Sequence, residues 1–312
     1  MHLIGGNPYI WRKSSTMHQA AGRPTWGNWS TLILLALIWG TSFILIKKGL
    51  VAFSGMQVGA LRIGIAFLFF IPIAARALRR IPRRYLGYVL AIGIFSSFIP
   101  SFLIPLGQEN TDSSTAGILV SLTPLSTYLW GITIFQQKGS TKRSCGVILG
   151  LIGASILMID PSSSMGFNPS ALYILVSSVL YGISGNIVHR YLKEVNSTDI
   201  TSVSFIMIGI PALGYLFTTD FISVMQSDKQ AWISLGAVII LSIVGTAMAL
   251  LLFWKLVQQT DPVFGSVTTY LIPIVAIMWG LLDGEEVVPR QLIGFVLILL
   301  SVFLVQQSGR KR

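Results

Sequence analysis

Long, nearly unbroken apolar blocks alternate with short polar segments along most of the chain. Ten such blocks fall at about 31-50, 57-78, 85-107, 113-135, 142-160, 170-190, 201-220, 231-254, 262-282 and 289-307. Each is close to the ~20 apolar residues that a helix needs to cross a bilayer core. A lipid-exposed segment satisfies its backbone only within a helix or a closed barrel, and these blocks lack the strict alternation of a barrel strand. The pattern predicts an all-α, polytopic integral membrane protein with ten transmembrane helices and short loops. Residues 1-30 read as a tail, 31-160 and 161-307 as the membrane region, and 308-312 as a basic tail. Span one has no small-residue cleavage site suited to a secretory signal, so it is expected to stay as a helix. Met17, followed by His18 and Gln19, is a candidate translation start.

Composition narrows the function classes. Of 312 residues, 53% are hydrophobic and 11% charged, against about 25% charged in a soluble domain. A net charge of +11 would suit nucleic acid if the basic residues shared one solvated face. They are instead scattered around the apolar blocks, so the expected partner is the lipid bilayer and not nucleic acid. With both termini inside, 17 of the 22 basic residues fall in inside segments, Lys47, Lys48, Lys229 and Arg290 outside, and Arg62 within a span. Basic residues are retained in the cytoplasm. Both termini are therefore predicted cytoplasmic, and attraction to anionic headgroups is a secondary effect of the same charge. The single Cys145 allows no internal disulfide, and the only histidines are His2, His18 and His189. A metal or charge-relay site has little to be built from, and no cofactor is expected. No GxxxxGK[ST] loop occurs, which excludes transport driven by ATP within this chain.

The chain also repeats itself. Leu37-Ile38-Trp39-Gly40-Thr41-Ser42 has a counterpart in Val179-Leu180-Tyr181-Gly182-Ile183-Ser184, with the basic pairs Lys47-Lys48 and His189-Arg190 at the same offset of 142. Thr111-Asp112 matches Thr260-Asp261, Pro124 matches Pro273, and Trp130-Gly131 matches Trp279-Gly280, all at an offset of 149. Two copies of five spans follow. Five is odd, so the second copy enters the membrane from the opposite side, giving two inverted five-helix repeats. Inverted repeats are typical of secondary transporters, whose substrate site lies near the midplane between the halves.

These residues resemble the drug/metabolite transporter superfamily, and within it the ten-span EamA-like transporters, over roughly residues 31-307. In the first half the resemblance rests on Leu37 to Phe43, on Ala60-Leu61-Arg62 and on Ser121-Leu122-Thr123-Pro124-Leu125. In the second half it rests on Tyr270 to Ala276, then Gly284-Glu285 and Gln291-Leu292-Ile293-Gly294. One departure is Gln136-Gln137-Lys138, where the family often has Gly-Glu after the fourth span. The resemblance implies export of small organic metabolites, such as amino acids or drugs, across the inner membrane by alternating access around spans one, three, four, six, eight and nine.

The candidate substrate-binding residues are Trp39, Ser42, Arg62, Gln108, Tyr128, Tyr181, Asn186 and Tyr270. Trp39 and Ser42 lie on one side of span one, Tyr181 and Ser184 on one side of span six, and such stripes serve either packing or a binding wall. Pro124 and Pro273 are the candidate hinges, because proline removes a backbone donor and kinks a helix, although a plain packing kink explains them too. Arg62 either snorkels to the outer headgroups or faces the cavity and attracts a carboxylate. Asp112 and Asp261 read as helix N-caps, and Glu109 as solvated. Gly55xxxGly59 and Gly146xxxGly150 suit close helix approach within one subunit or in a homodimer. The chain is expected not to be an enzyme: a membrane-embedded enzyme needs converging nucleophiles or metal ligands, and no HExxH-like set occurs. A sensor or channel is the third reading, and a channel would favour rings of like polar residues.

Overall fold

The fold is taken from a computed structural model, which describes residues 25–136, 139, 141–159, 166–260 and 268–307. Met17 and Asp261 lie outside the described residues. Ten helical spans follow one another among those described. They are span 1 Trp26–Gly49, span 2 Gly55–Arg80, span 3 Arg83–Gln108, span 4 Ser113–Thr133 and span 5 Thr141–Met158 in the first half. The second half holds span 6 Ala171–Tyr191, span 7 Ser197–Leu216, span 8 Gln230–Leu256, span 9 Thr268–Leu282 and span 10 Pro289–Gln307. Seven of them have the length and hydropathy of a membrane crossing, and spans 5, 9 and 10 are shorter apolar helices.

Local chemistry sets where the first two spans begin. Thr25 and Asn28 form a reciprocal capping box that starts span 1 ahead of its apolar block, and Ser54 and Gln57 do the same for span 2. Each box satisfies two backbone donors that the first turn leaves without partners. The finished bundle exposes Ile33, Ile148, Ile240, Leu282 and Phe303, while Ser42, Ser97, Ser177 and Ser242 are buried. An apolar exterior around a small, hydroxyl-bearing interior is the distribution expected when hydrocarbon is the solvent.

The two halves are built into each other. Span 2 packs along span 7 and span 5 along span 10, while span 1 lies against span 9 as span 4 lies against span 6. Every one of these pairs joins one half to the other, and the last two are exchanged by the repeat. The glycines of the repeated motif mark where those two pairs cross. A Cβ on Gly40 would lie 3.0 Å from the Ile272 carbonyl oxygen and 2.7 Å from Val275 Cγ1, and one on Gly182 2.6 Å from the Thr127 backbone nitrogen. Beside each crossing an indole N–H bridges the same helices: Trp279 donates to Thr41 Oγ1 and Trp130 to the Val179 carbonyl, both at 2.9 Å. Gly55, Gly59 and Gly150 also meet atoms of their own chain, from spans 3, 4 and 10.

Two features depart from ten uniform helices. Span 3 contains a π-helical turn at Gly93–Phe98 and span 8 one at Ile243–Met248. They occupy equivalent places in the two halves, 150 residues apart, and π turns recur at functional sites. Span 4 is two helices, Ser113–Val120 and Thr123–Thr133, with Pro124 in the first turn of the second. Proline there sacrifices no intrahelical bond, so Pro124 starts a helix, whereas Pro273 lies inside Thr268–Leu282.

The crossing at Gly182 can be tested against a glycine that faces open space. Gly182→Ala forces a methyl onto backbone, which as overpacking costs roughly 1–3 kcal/mol, and should lower the detergent melting temperature by several degrees. Gly214→Ala, at an exposed position of span 7 where no atom of the described residues lies within 4 Å of an added Cβ, should leave it unchanged. Equal melting temperatures for the two variants would contradict the crossing.

Candidate functional site

Span 2 carries Arg62 seven residues beyond its first residue, Gly55, about 10 Å along the helix axis at ~1.5 Å per residue. The side chain does not snorkel. Arg62 is only 8% exposed, and its Nε donates at 2.7 Å to Thr246 Oγ1 on span 8. Thr246 belongs to the π turn, and its hydroxyl also donates to the Leu241 carbonyl at 3.2 Å. The wider turn therefore presents a hydroxyl to a guanidinium of the other half. Among the described residues no carboxylate pairs with Arg62.

Two of the expected residues, Tyr181 and Ser42, stand beside this contact, and Trp39 lies further along span 8. Tyr181 of span 6 is the electrostatic neighbour of Arg62. Ser42 of span 1 abuts Gly245, whose added Cβ would lie 2.8 Å from the Ser42 hydroxyl, and Ser42 donates to the Ile38 carbonyl. Trp39, one turn before Ser42, is half-buried and stacks obliquely on Phe253 of span 8 with ring centroids 5.1 Å apart. On span 6, half-buried Tyr181 packs against the core, and among the described residues no atom lies within 4 Å of a Cβ added to Gly185.

The remaining candidates stand elsewhere. Asn186 donates to the Thr127 and Gly182 carbonyls at 2.8 and 3.0 Å, so its amide joins span 6 to span 4. Gln108 donates at 3.0 Å to the Phe43 carbonyl at the far end of span 3, and its Oε1 is buried without a partner among the described residues. Tyr128 is buried within span 4, and the Tyr270 hydroxyl is buried without a partner among the described residues. No group of three His, Cys, Asp or Glu side chains able to hold a metal occurs among them either. An apolar crevice of about 350 Å³, bordered by Met56, Phe98, Phe102 and Tyr215, lies on spans 2, 3 and 7 and turns no polar surface inward.

Polar contacts between the halves concentrate at one end of the bundle. Lys47 of span 1 reaches both Asp283 and Glu285 at 2.9 Å, and Lys48 pairs with Asp283. Glu285 in turn accepts from the backbone N–H of Ser113 and of Ser114, at 3.0 and 3.1 Å, and from the Ser114 hydroxyl at 2.7 Å. It thereby caps span 4, while Asp112, at the N-cap position, makes no capping bond. The expected local cap is replaced by one from the other half. Glu109 is solvent-exposed, as expected, yet it also accepts the Gly55 N–H at 2.6 Å. Gln57 adds a tie to Asp220 at 2.8 Å. At the opposite end Arg80 pairs bidentately with Asp199 of span 7.

Charge states follow from these partners. Burial pulls the Glu285 carboxyl upward, but bonds from Ser114, Lys47 and Ser113 outweigh it and hold the group below its usual range. Bonds from Lys47 and Lys48 lower Asp283 as well. Partial desolvation first, and the Glu285 charge second, push Asp112 upward. Thr246 and the capping use of Glu285 were not expected from the sequence. The signals available for them were a hydroxyl inside an apolar run and the Gly-Glu pair after span nine.

The chain matches the model of the EamA-like transporter family over residues 27–159 and 168–306, one match for each half. Among curated relatives, an uncharacterized transporter of Archaeoglobus fulgidus is 26% identical, over 89% of this chain and 98% of that one. An S-adenosylmethionine/S-adenosylhomocysteine transporter of Chlamydia muridarum is 23% identical, over 86% and 88%. A probable amino-acid metabolite efflux pump of Salmonella typhimurium is 23% identical, over 87% and 92%. With ten spans in two inverted halves and a family match over most of its length, the chain belongs to the EamA-like transporter family and is a multi-pass membrane transporter.

Proposed function

We propose that the protein exports small organic metabolites, amino acids and related solutes among them, across the plasma (inner) membrane by alternating access, and that it is not an enzyme. One observation carries this reading: a buried guanidinium of the first half meets a π turn of the second within an otherwise apolar bundle. Residues 31-160 and 161-307 are the units that rock against each other, with spans 1, 3, 4, 6, 8 and 9 around the site. Trp39, Ser42, Arg62 and Tyr181 form its centre, and Gln108, Tyr128, Asn186 and Tyr270 its outlying wall. Pro124 and Pro273 flank the segments that yield. The relatives named for S-adenosylmethionine and for amino-acid metabolites support solutes of this size.

The end joined by Lys47, Asp283 and Glu285 is the extracytoplasmic gate, drawn closed, and both termini are cytoplasmic. The described carboxylates lie at span ends or in loops, so none of them is at hand as a midspan proton carrier, which favours facilitated diffusion over proton coupling. In proteoliposomes, labelled amino acids should show counterflow that a protonophore leaves unchanged. Absence of counterflow across a broad metabolite panel would sink the carrier.

The gate has its own tests. A carboxyl lowered by its partners stabilises closure above its ordinary pKa, and the contribution is lost as pH falls through the lowered value. The gate should hold at neutral pH and loosen only below about pH 4, near or under the ordinary carboxyl values. Glu285→Gln should loosen it at pH 7, raising several-fold the labelling of a Ser42→Cys reporter, in a Cys145→Ser background, by impermeant maleimide added outside. Unchanged labelling contradicts the gate. For orientation, the same reagent on intact cells should label a cysteine placed at Lys229 and spare one at Lys193; the reverse pattern inverts the topology.

A further inference from the structure

We propose that Arg62, with Thr246 holding one edge of its guanidinium, is a carboxylate-reading subsite, so that the solutes carried bear a carboxylate. The inference rests on the carrier reading and names its substrate class. Guanidinium offers five donors in a rigid plane. Here Nε is committed to Thr246, and Nη1 and Nη2 donate no hydrogen bond among the described residues. Those two nitrogens remain as a pair, the geometry that grips two carboxylate oxygens at once.

Burial makes the missing partner expensive. Arg62 is 8% exposed, and an uncompensated charge in such a place is strongly destabilising. A cation inside a membrane span normally marks a substrate or ion pathway. The described carboxylates that are paired with cations, Asp199, Asp283 and Glu285, are engaged at the two ends of the bundle with Arg80, Lys47 and Lys48. The counter-charge is therefore one that comes and goes. A single guanidinium matches one carboxylate group, whereas a phosphate dianion would bring a second negative charge with nothing to balance it. Half-buried Tyr181 on span 6 offers an aromatic surface for the rest of the solute.

The repeat shows that this charge is a special addition. Span 2 begins at Gly55 and span 7 at Ser197, which is the motif offset of 142, and the position equivalent to Arg62 is Ser204. Ser204 bonds its own helix at the Thr201 carbonyl. The fold thus closes around a serine in one half and keeps an arginine in the other.

The test uses the full-length protein in proteoliposomes, with labelled tryptophan, phenylalanine and methionine, their carboxamides, and organic cations as probes. Replacing a charged hydrogen-bond partner is worth about ten- to hundredfold. The amino acids should therefore compete for counterflow at least tenfold better than their amides. Arg62→Gln should erase that preference, Arg62→Lys should keep part of it, and Thr246→Val should weaken amino acids while Thr246→Ser restores them. Should Arg62→Gln fail to fold, Arg62→Lys and the Thr246 pair carry the same comparison. Amides that compete equally with acids, a preference that survives Arg62→Gln, or transport confined to probes without a carboxylate would each overturn the subsite and leave the carrier standing. If no probe exchanges at all, the carrier reading falls, and the subsite with it.

Discussion

An odd number of spans, repeated, forces the copies to run in opposite directions, and the packing of this protein follows from that constraint. Residues related by the repeat sit at opposite depths, so a contact at one end of the bundle has its counterpart at the other. Gly40 against span 9 and Gly182 against span 4 are such a pair, as are the indole bonds of Trp279 and Trp130. Because the principal pairs join one half to the other, neither half buries its inner surface alone. The crossings set how near the halves can come, since glycine lets backbones meet where any side chain would hold them apart.

The symmetry makes its breaches informative. Ion pairs and a capping carboxylate join the halves around Glu285, whereas the opposite end has the Arg80–Asp199 pair. Exposed pairs contribute little individually, but Glu285 satisfies two backbone N–H groups, a hydroxyl and Lys47 with one side chain that is 3% exposed. Removing it leaves several donors without partners at once, and such donors are the costly species in a low-dielectric setting. The unequal ends are what a protein caught with one gate shut would show.

How much of this the sequence reveals depends on how local each cause is. Ten spans and their repeat are legible because hydrophobic blocks and short motifs are properties of neighbouring residues. Arg62 is legible as a lone charge in an apolar run, but its direction is not. An arginine side chain two turns into a span can reach headgroups or interior, and only the arrival of span 8 beside span 2 decides. The cap on span 4 is hidden for the same reason. Asp112 stands where a cap belongs, yet the acceptor comes from a residue 171 and 172 positions away. The π turns leave composition untouched, so no count of apolar residues reveals them, and that the Asn186 amide also fastens span 6 to span 4 depends on which helix arrives beside it.

The π turn and the arginine are best understood together. A regular helix spends each carbonyl on its own backbone, and an apolar span has nothing further to offer a buried cation. Widening one turn of span 8 lets Thr246 face Arg62 while its hydroxyl still reaches the Leu241 carbonyl. That single acceptor orients the guanidinium without neutralising it, since a hydroxyl carries no charge. Arginine stays protonated in proteins, so the empty site is always cationic, and a carboxylate gives the guanidinium the partner it lacks. If the site is to be exposed in turn to the two faces of a low-dielectric core, the loaded form does so with its guanidinium paired directly to a carboxylate and the empty form does not. Exchange of one solute for another is then intrinsically easier than return of the empty carrier, a preference that originates in one uncompensated side chain and not in any gradient.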